Sequence, residues 1–189
     1  EKAVGKAIRD SGIPRQELFV TTKLWGSDVL SNNVQGAFNT SLDNLNIEYL
    51  DLYLVHWPVK GKLQSTWQQV EEIHRSGSVR SIGLSNHQIH HMKEALTGST
   101  IKPVVNQVEC HPYLRQDELK AYCRENEIVM QAWSPLASNK IPLLEEEVLS
   151  RIGSKHGKSP AQVVLRWHLQ SGVVPLPKSA NAERQRENF

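Results

Sequence analysis

Residues 52 to 58, Leu-Tyr-Leu-Val-His-Trp-Pro, form a short apolar, β-prone run that ends in an imidazole, an indole and a strand-stopping proline. The ring of His56 can orient a reacting carbonyl or move a proton, but a lone histidine in a core also finds a backbone partner readily. The company it keeps decides between these readings. The same change from apolar to polar recurs at Lys23, at Ser85 with Asn86, at Asn106 with Gln107, at Trp133 with Ser134 and at Lys178 with Ser179. Cations, amides, hydroxyls and a flat aromatic at the ends of successive apolar runs can bind and orient a polar ligand, whereas a packed core does not require them.

These groups lie on strand candidates at residues 18–25, 51–57, 79–86, 103–109, 128–135 and 173–179, separated by helical patterns. Ser31 precedes a stripe of Val34, Phe38, Leu42 and Leu45. Trp67, Val70 and Ile73 mark another helix, and Leu119, Tyr122 and Cys123 a third. Ser159 followed by Pro160 reads as an N-cap with proline in the first helical position, and Gly172 closes that helix. Strict alternation means parallel strands with crossover helices, either an open doubly wound sheet or a (β/α)8 barrel. None of the 11 glycines belongs to a G-x-G-x-x-G fingerprint or a P-loop, which favours the barrel. Six βα units are present, so closure of an eight-stranded barrel needs further segments, one of them a strand before the helix at residue 1.

With 189 residues, 39% of them hydrophobic, the chain can bury a sizeable core. Lys plus Arg of 22 against Asp plus Glu of 20 give a net charge of +2, and no run of like charge builds a nucleic-acid face. Cys110 and Cys123 lack metal-ligand spacing and are too few for a disulfide framework, so a reducing compartment is expected. No apolar run approaches the length of a membrane span. The chain opens within an amphipathic helix that has Ala3, Val4, Ala7 and Ile8 on one face, and it stops within the helical stretch ANAERQREN. It reads as a single domain over residues 1–189, incomplete at both ends.

The words TTKLW, LDLYLVHWP, GLSNH, VNQVECHPY, WSPLA and LPKSANAERQREN, in this order, resemble the aldo-keto reductase family of NADPH-dependent carbonyl reductases, with a tone closer to small microbial members than to mammalian aldose reductases. The resemblance implies a (β/α)8 barrel that acts as a cytoplasmic monomer on small carbonyl substrates, without nucleic acid, membrane or metal. His56 would point a ring nitrogen at the carbonyl oxygen and stabilise developing negative charge. Lys23 would lower the pKa of a family tyrosine that delivers the proton. Ser85, Asn86 and Gln107 resemble the trio that hydrogen-bonds the nicotinamide carboxamide, a task for donors and acceptors without charge. Trp133 stands where the family often stacks a tyrosine on the nicotinamide, and Ser134, Leu136 and Ser138 match the loop along the pyrophosphate. Lys178, Ser179, Asn181 and Arg184 suit a 2′-phosphate, which implies NADPH rather than NADH, and Glu187 and Asn188 match adenine contacts. Trp25 and Trp57 would wall the substrate pocket.

The family's catalytic tyrosine and its partner aspartate belong to the strand and loop just before the opening helix, so Lys23 and His56 are expected to form half of a tetrad. His87 replaces a common phenylalanine, Trp133 replaces tyrosine, and the tail that walls the family's substrate pocket lies outside the sequence. A cofactor-binding regulatory subunit on the same barrel, as in potassium-channel β subunits, is the alternative. A hydrolase or isomerase with His56 as base leaves Lys178 and Arg184 without a task.

Overall fold

The structure is a computed structural model that describes residues 1–139 and 141–189. It divides into two compact units, Glu1–Asn106 and Gln107–Phe189.

The first unit alternates helix and strand: α1 (Lys2–Asp10), β1 (Thr21–Leu24), α2 (Gly26–Leu30), α3 (Val34–Leu45), β2 (Leu50–Val55), α4 (Leu63–Arg75), β3 (Val79–Ser85) and α5 (Ile89–Ala95). Strands β1, β2 and β3 are parallel neighbours, with Lys23 opposite Leu54 and Leu54 opposite Gly83. Side chains alternate across a strand, so these three positions share a face. Leu52 and Leu54 pack there with Val105. Glycine is required at position 83, because a Cβ would lie 2.7 Å from the Val105 carbonyl oxygen and 2.8 Å from Leu54 Cδ2. The opposite face of β2 takes a helix: Tyr53 is buried edge-on against Phe38 of α3, with ring centroids 5.1 Å apart.

The expected helical stripes largely form the core. Val34, Phe38 and Leu45 are buried on α3, and Trp67, Val70 and Ile73 on α4. Each such side chain contributes about 1.5–3 kcal/mol by leaving water. Leu42 stays half-buried while Ser41 turns inward. Ser31 is the C-cap of the short helix α2, and Asn33 is the residue that precedes α3. The apolar stripe of α1 is formed but open, with Val4 53% exposed. Buried Glu71 on α4 clamps the loop that follows α5, accepting from Ser99 Oγ at 2.6 Å and from the amides of Thr100 and Ile101 at 2.9 and 2.8 Å.

Strand β4 spans Val105–Glu109. The second unit continues with α6 (Asp117–Glu125), β5 (Val129–Trp133), α7 (Glu147–His156), α8 (Pro160–Gln170), β6 (Val173–Pro175) and α9 (Ala182–Asn188). β5 and β6 are parallel, with Gln131 opposite Val174. Ser159 caps α8 as expected, and the Gln162 side chain returns the bond to the Ser159 amide, completing a capping box. Gly172 follows this helix at φ 71°, a left-handed conformation that glycine adopts without cost. Strand β6 is shorter than the expected 173–179, since Pro175 and Pro177 have no N–H to give a ladder. Lys178 and Ser179 therefore stand on the loop beyond it. His168 of α8 lies between carbonyls, Nε2 2.9 Å from that of Cys110 and Nδ1 2.9 Å from that of Val164, and so ties the helix to the segment after β4.

Candidate active site

In the first unit the expected catalytic pair comes from neighbouring strands. Lys23 lies one residue before the end of β1, and His56 just follows β2, where its amide donates to the Leu24 carbonyl at 3.1 Å. Two residues past Leu54, His56 extends the face that carries Lys23. Burial lowers the pKa of the Lys23 ammonium. Burial, and then the charge of Lys23, lower that of His56. The imidazole is thereby kept neutral near pH 7, with one N–H to donate and one lone pair. Its Nδ1 is buried without a hydrogen-bond partner among the described residues.

Trp25 and Trp57 flank this ring. The indole of Trp25 meets it edge-on at 4.6 Å between centroids, and that of Trp57 lies 6.2 Å away. Both indoles are largely open, 61% and 50% exposed, so they offer apolar walls beside the imidazole. Asn86 follows β3 in the left-handed region, φ 61°, which asparagine tolerates better than most residues. From there its Nδ2 donates to the His56 carbonyl at 3.0 Å and to Ser85 Oγ at 3.2 Å, joining the expected amide-binding pair to the backbone of the expected catalytic histidine. Next along, buried His87 has its Nδ1 2.7 Å from the Ser85 carbonyl, and burial draws its pKa down to about 4 against that bond.

The second unit presents a different kind of site. A cavity of about 460 Å³ is lined by Ser134, Leu136 and Ser138 on one side and by Lys178, Ser179 and Arg184 on the other. It collects cations and hydroxyls, and among the described residues no carboxylate lines it. That donor set fits a phosphate-bearing ligand. The loop that supplies one wall is held in an uncommon shape: Ser134, Ala137 and Ser138 have φ values of 48°, 58° and 50°. Each such residue costs on the order of 1 kcal/mol or more, and packing must outweigh it. Ala137 does this by joining Leu143, Leu149 and Val164 in a buried cluster, with Leu136 against its edge. The hydroxyls of Ser134 and Ser138 are hydrogen-bonded to each other.

Asn181, Glu187 and Asn188 do not line that cavity. Asn181 is the N-cap of α9, its Oδ1 accepting from the amides of Glu183 and Arg184 at 2.9 and 3.0 Å. The Glu187 carbonyl accepts from Gln162 Nε2 at 3.0 Å. Trp133 is the last residue of β5 and half-buried. Gln107 is buried on β4, and its Nε2 donates to Gln131 Oε1 at 2.9 Å. Gln131 is absent from the set expected from sequence. Its position two residues before Trp133, on one face of a strand, was the available signal. Among the described residues no cluster of His, Cys, Asp and Glu could hold a metal, and no helix is long and apolar enough to cross a membrane. Burial pushes the Cys110 thiol up to about 11, so it stays protonated near neutrality.

The aldo/keto reductase family model matches residues 1–189. The chain belongs to the aldo/keto reductase family. It is 50% identical over 188 residues to the glyoxal reductase of Bacillus subtilis (strain 168), covering 100% of this chain and 67% of that protein. It is 47% identical over 190 residues to the 9,11-endoperoxide prostaglandin H2 reductase of Trypanosoma cruzi (strain CL Brener), again covering 100% and 67%. Among solved structures, an aldo/keto reductase from Brucella melitensis superposes with a TM-score of 0.93 at 43% identity, covering 100% of this chain and 72% of its own. The chain thus has the α/β fold of these reductases, a (β/α)8 barrel of which it carries six strands with their helices. This is the family to which the six sequence words point.

Proposed function

We propose that the chain is the carbonyl- and cofactor-binding part of an NADPH-dependent reductase that converts aldehydes or ketones to alcohols. The observation that carries this reading is the pairing of Lys23 with His56 on one face of adjacent strands, where burial and mutual repulsion keep the imidazole neutral. A neutral imidazole N–H can hold a carbonyl oxygen and stabilise the negative charge that grows on it, without first surrendering a proton. Trp25 and Trp57 would orient the substrate's apolar part beside that donor. Lys23 would favour the ionised form of a neighbouring phenol, the tyrosine that the family carries on a segment outside this sequence.

The cavity formed by Ser134, Leu136, Ser138, Lys178, Ser179 and Arg184 supports a phosphate-bearing cofactor, and its pair of cations supports NADPH over NADH. When bound, the dihydronicotinamide supplies a hydride. Ser85, Asn86 and Gln107 would hold its carboxamide, Trp133 would stack on its ring, Asn181 would join Lys178, Ser179 and Arg184 at the 2′-phosphate, and Glu187 and Asn188 would contact the adenine. Relatives named as reductases of glyoxal and, in Escherichia coli O157:H7 at 41% identity, of methylglyoxal support small dicarbonyls as substrates. The test is steady-state oxidation of NADPH and of NADH by the full-length protein with methylglyoxal, a simple aldehyde and a keto-sugar. Turnover with NADPH above that with NADH is expected; tight cofactor binding without turnover on any carbonyl would favour the regulatory-subunit alternative.

A further inference from the structure

We propose that Asn106 is a positioning residue for Ser85 and Asn86, the pair proposed to hold the nicotinamide carboxamide, and that it acts through the backbone of His87; this rests on the NADPH-binding reading above. Val105 packs with Leu52 and Leu54, so Asn106, its neighbour on β4, turns to the other side of the strand. There it is fully buried, with Nδ2 3.7 Å from Sδ of Met92 on α5. The same Nδ2 donates to the His87 carbonyl at 2.8 Å. A carbonyl can only accept, so this bond fixes which end of the amide faces His87; the amide turned over would set two oxygens against each other. Oδ1, at the other end, is buried without a hydrogen-bond partner among the described residues. An apolar side chain of this size would fill the space without burying an unpaired acceptor. What the amide adds is its donor.

The segment that this donor grips needs holding. Asn86 has φ 61°, a left-handed conformation that asparagine tolerates but does not favour, and from it Nδ2 reaches the His56 carbonyl at 3.0 Å. His87 is tied at two points, its ring Nδ1 2.7 Å from the Ser85 carbonyl and its own carbonyl to Asn106. Together these bonds fix the turn that carries Ser85 and Asn86, so both side chains stand in one arrangement before a carboxamide arrives. Without the Asn106 donor the His87 carbonyl would be left unpaired in a buried setting. The turn would then shift to find it another partner, and Ser85 and Asn86 would move with it.

The test uses the full-length protein and titrates it with NADP⁺, which carries the same carboxamide and survives acid, and with 2′,5′-ADP, which lacks the nicotinamide. Asn106→Leu keeps the volume and removes the donor. It should weaken NADP⁺ about tenfold, as for loss of roughly one hydrogen bond, and leave 2′,5′-ADP within about twofold. Asn106→Asp keeps the shape, and its carboxyl donates only when protonated, the form that burial favours. Its NADP⁺ affinity, relative to wild type at the same pH, should be near normal at about pH 5.5 and fall toward that of Asn106→Leu as the pH rises and the proton is lost. A side chain that only fills space would give no such recovery in acid. Unchanged NADP⁺ affinity in Asn106→Leu, equal weakening of NADP⁺ and 2′,5′-ADP, or an Asn106→Asp protein as weak as Asn106→Leu at the acid end would overturn the positioning role while leaving the cofactor reading in place. A wild-type protein that binds neither NADP⁺ nor 2′,5′-ADP would overturn both.

Discussion

The end of β2 and the loops after β5 and β6 place polar groups by opposite means. Lys23 and His56 are held by paired strands, partly removed from water, and their pKa values move because of it. Lys178 and Arg184 are exposed on and just after a loop, where solvent screens them. A group that must donate a hydrogen bond near neutrality gains from burial, since loss of water keeps an imidazole uncharged and strengthens its field at a growing oxyanion. A group that must attract a phosphate gains from staying charged and reachable, and would forfeit both if buried. The same contrast appears in the backbone. Lys23 lies within a regular strand and His56 directly after one, whereas the wall of the second site depends on left-handed residues held by the cluster around Ala137.

If that contrast is right, removing a buried group should cost more than removing an exposed one, and in a different observable. His56→Ala in the full-length protein should lower kcat/KM by about 100- to 1,000-fold, roughly 3–4 kcal/mol, with NADPH affinity nearly unchanged. A normal kcat/KM would make His56 an ordinary packed histidine.

His87 extends the comparison to pH. Burial draws its pKa from 6.5 to about 4, so between these values the unfolded chain binds more protons and stability is lost as the pH falls. About 3 kcal/mol is at stake over that window. His87→Phe should remove this part of the acid sensitivity, read as a smaller drop in urea-unfolding free energy from pH 7 to pH 4. Parallel losses in the two proteins would show that His87 is solvated.

At the exposed site the effects shrink. Lys178→Ala should weaken NADPH by roughly tenfold, a modest loss because water screens the lysine, and NADH by almost nothing. Equal losses in a fluorescence titration would remove the 2′-phosphate assignment. Trp133→Ala should cost about 1 kcal/mol of cofactor affinity and abolish part of the fluorescence quenching on binding, whereas Trp133→Phe should retain most of the affinity. Undiminished quenching in Trp133→Phe would transfer the stack to Trp25 or Trp57.

Much of this architecture is legible in the sequence because burial writes a period into it. The apolar runs around Leu54 and Ala132, the stripes on α3 and α4, and the Ser159-Pro160 start of α8 can be read directly from residue types. What escapes is set by groups distant in the chain or by single turns. Helix α2 has five residues, too few for a stripe, and its presence moves Ser31 from the start of a helix to the end of one. The end of β6 depends on which residues can donate to a ladder, and Pro175 and Pro177 stop it before the apolar run is over. In the site, Lys23 and His56 stand out as ionisable groups after apolar runs. Gln131 does not, because an uncharged amide within a strand acquires meaning only when Gln107 is seen to meet it. The capping of α9 by Asn181 Oδ1 is a second use of a residue named from sequence as a ligand contact, one that any asparagine before a helix has open to it.

If this protein transfers a hydride to a carbonyl, label transfer from the cofactor reveals it most directly. The full-length protein is given NADPH carrying deuterium on the transferring side of C4, with methylglyoxal as acceptor, and the product is examined by mass spectrometry and NMR. One deuterium is expected on the former carbonyl carbon of the alcohol, formed in proportion to the NADPH consumed. Saturable NADPH binding without a labelled alcohol from this or any other carbonyl offered would contradict it.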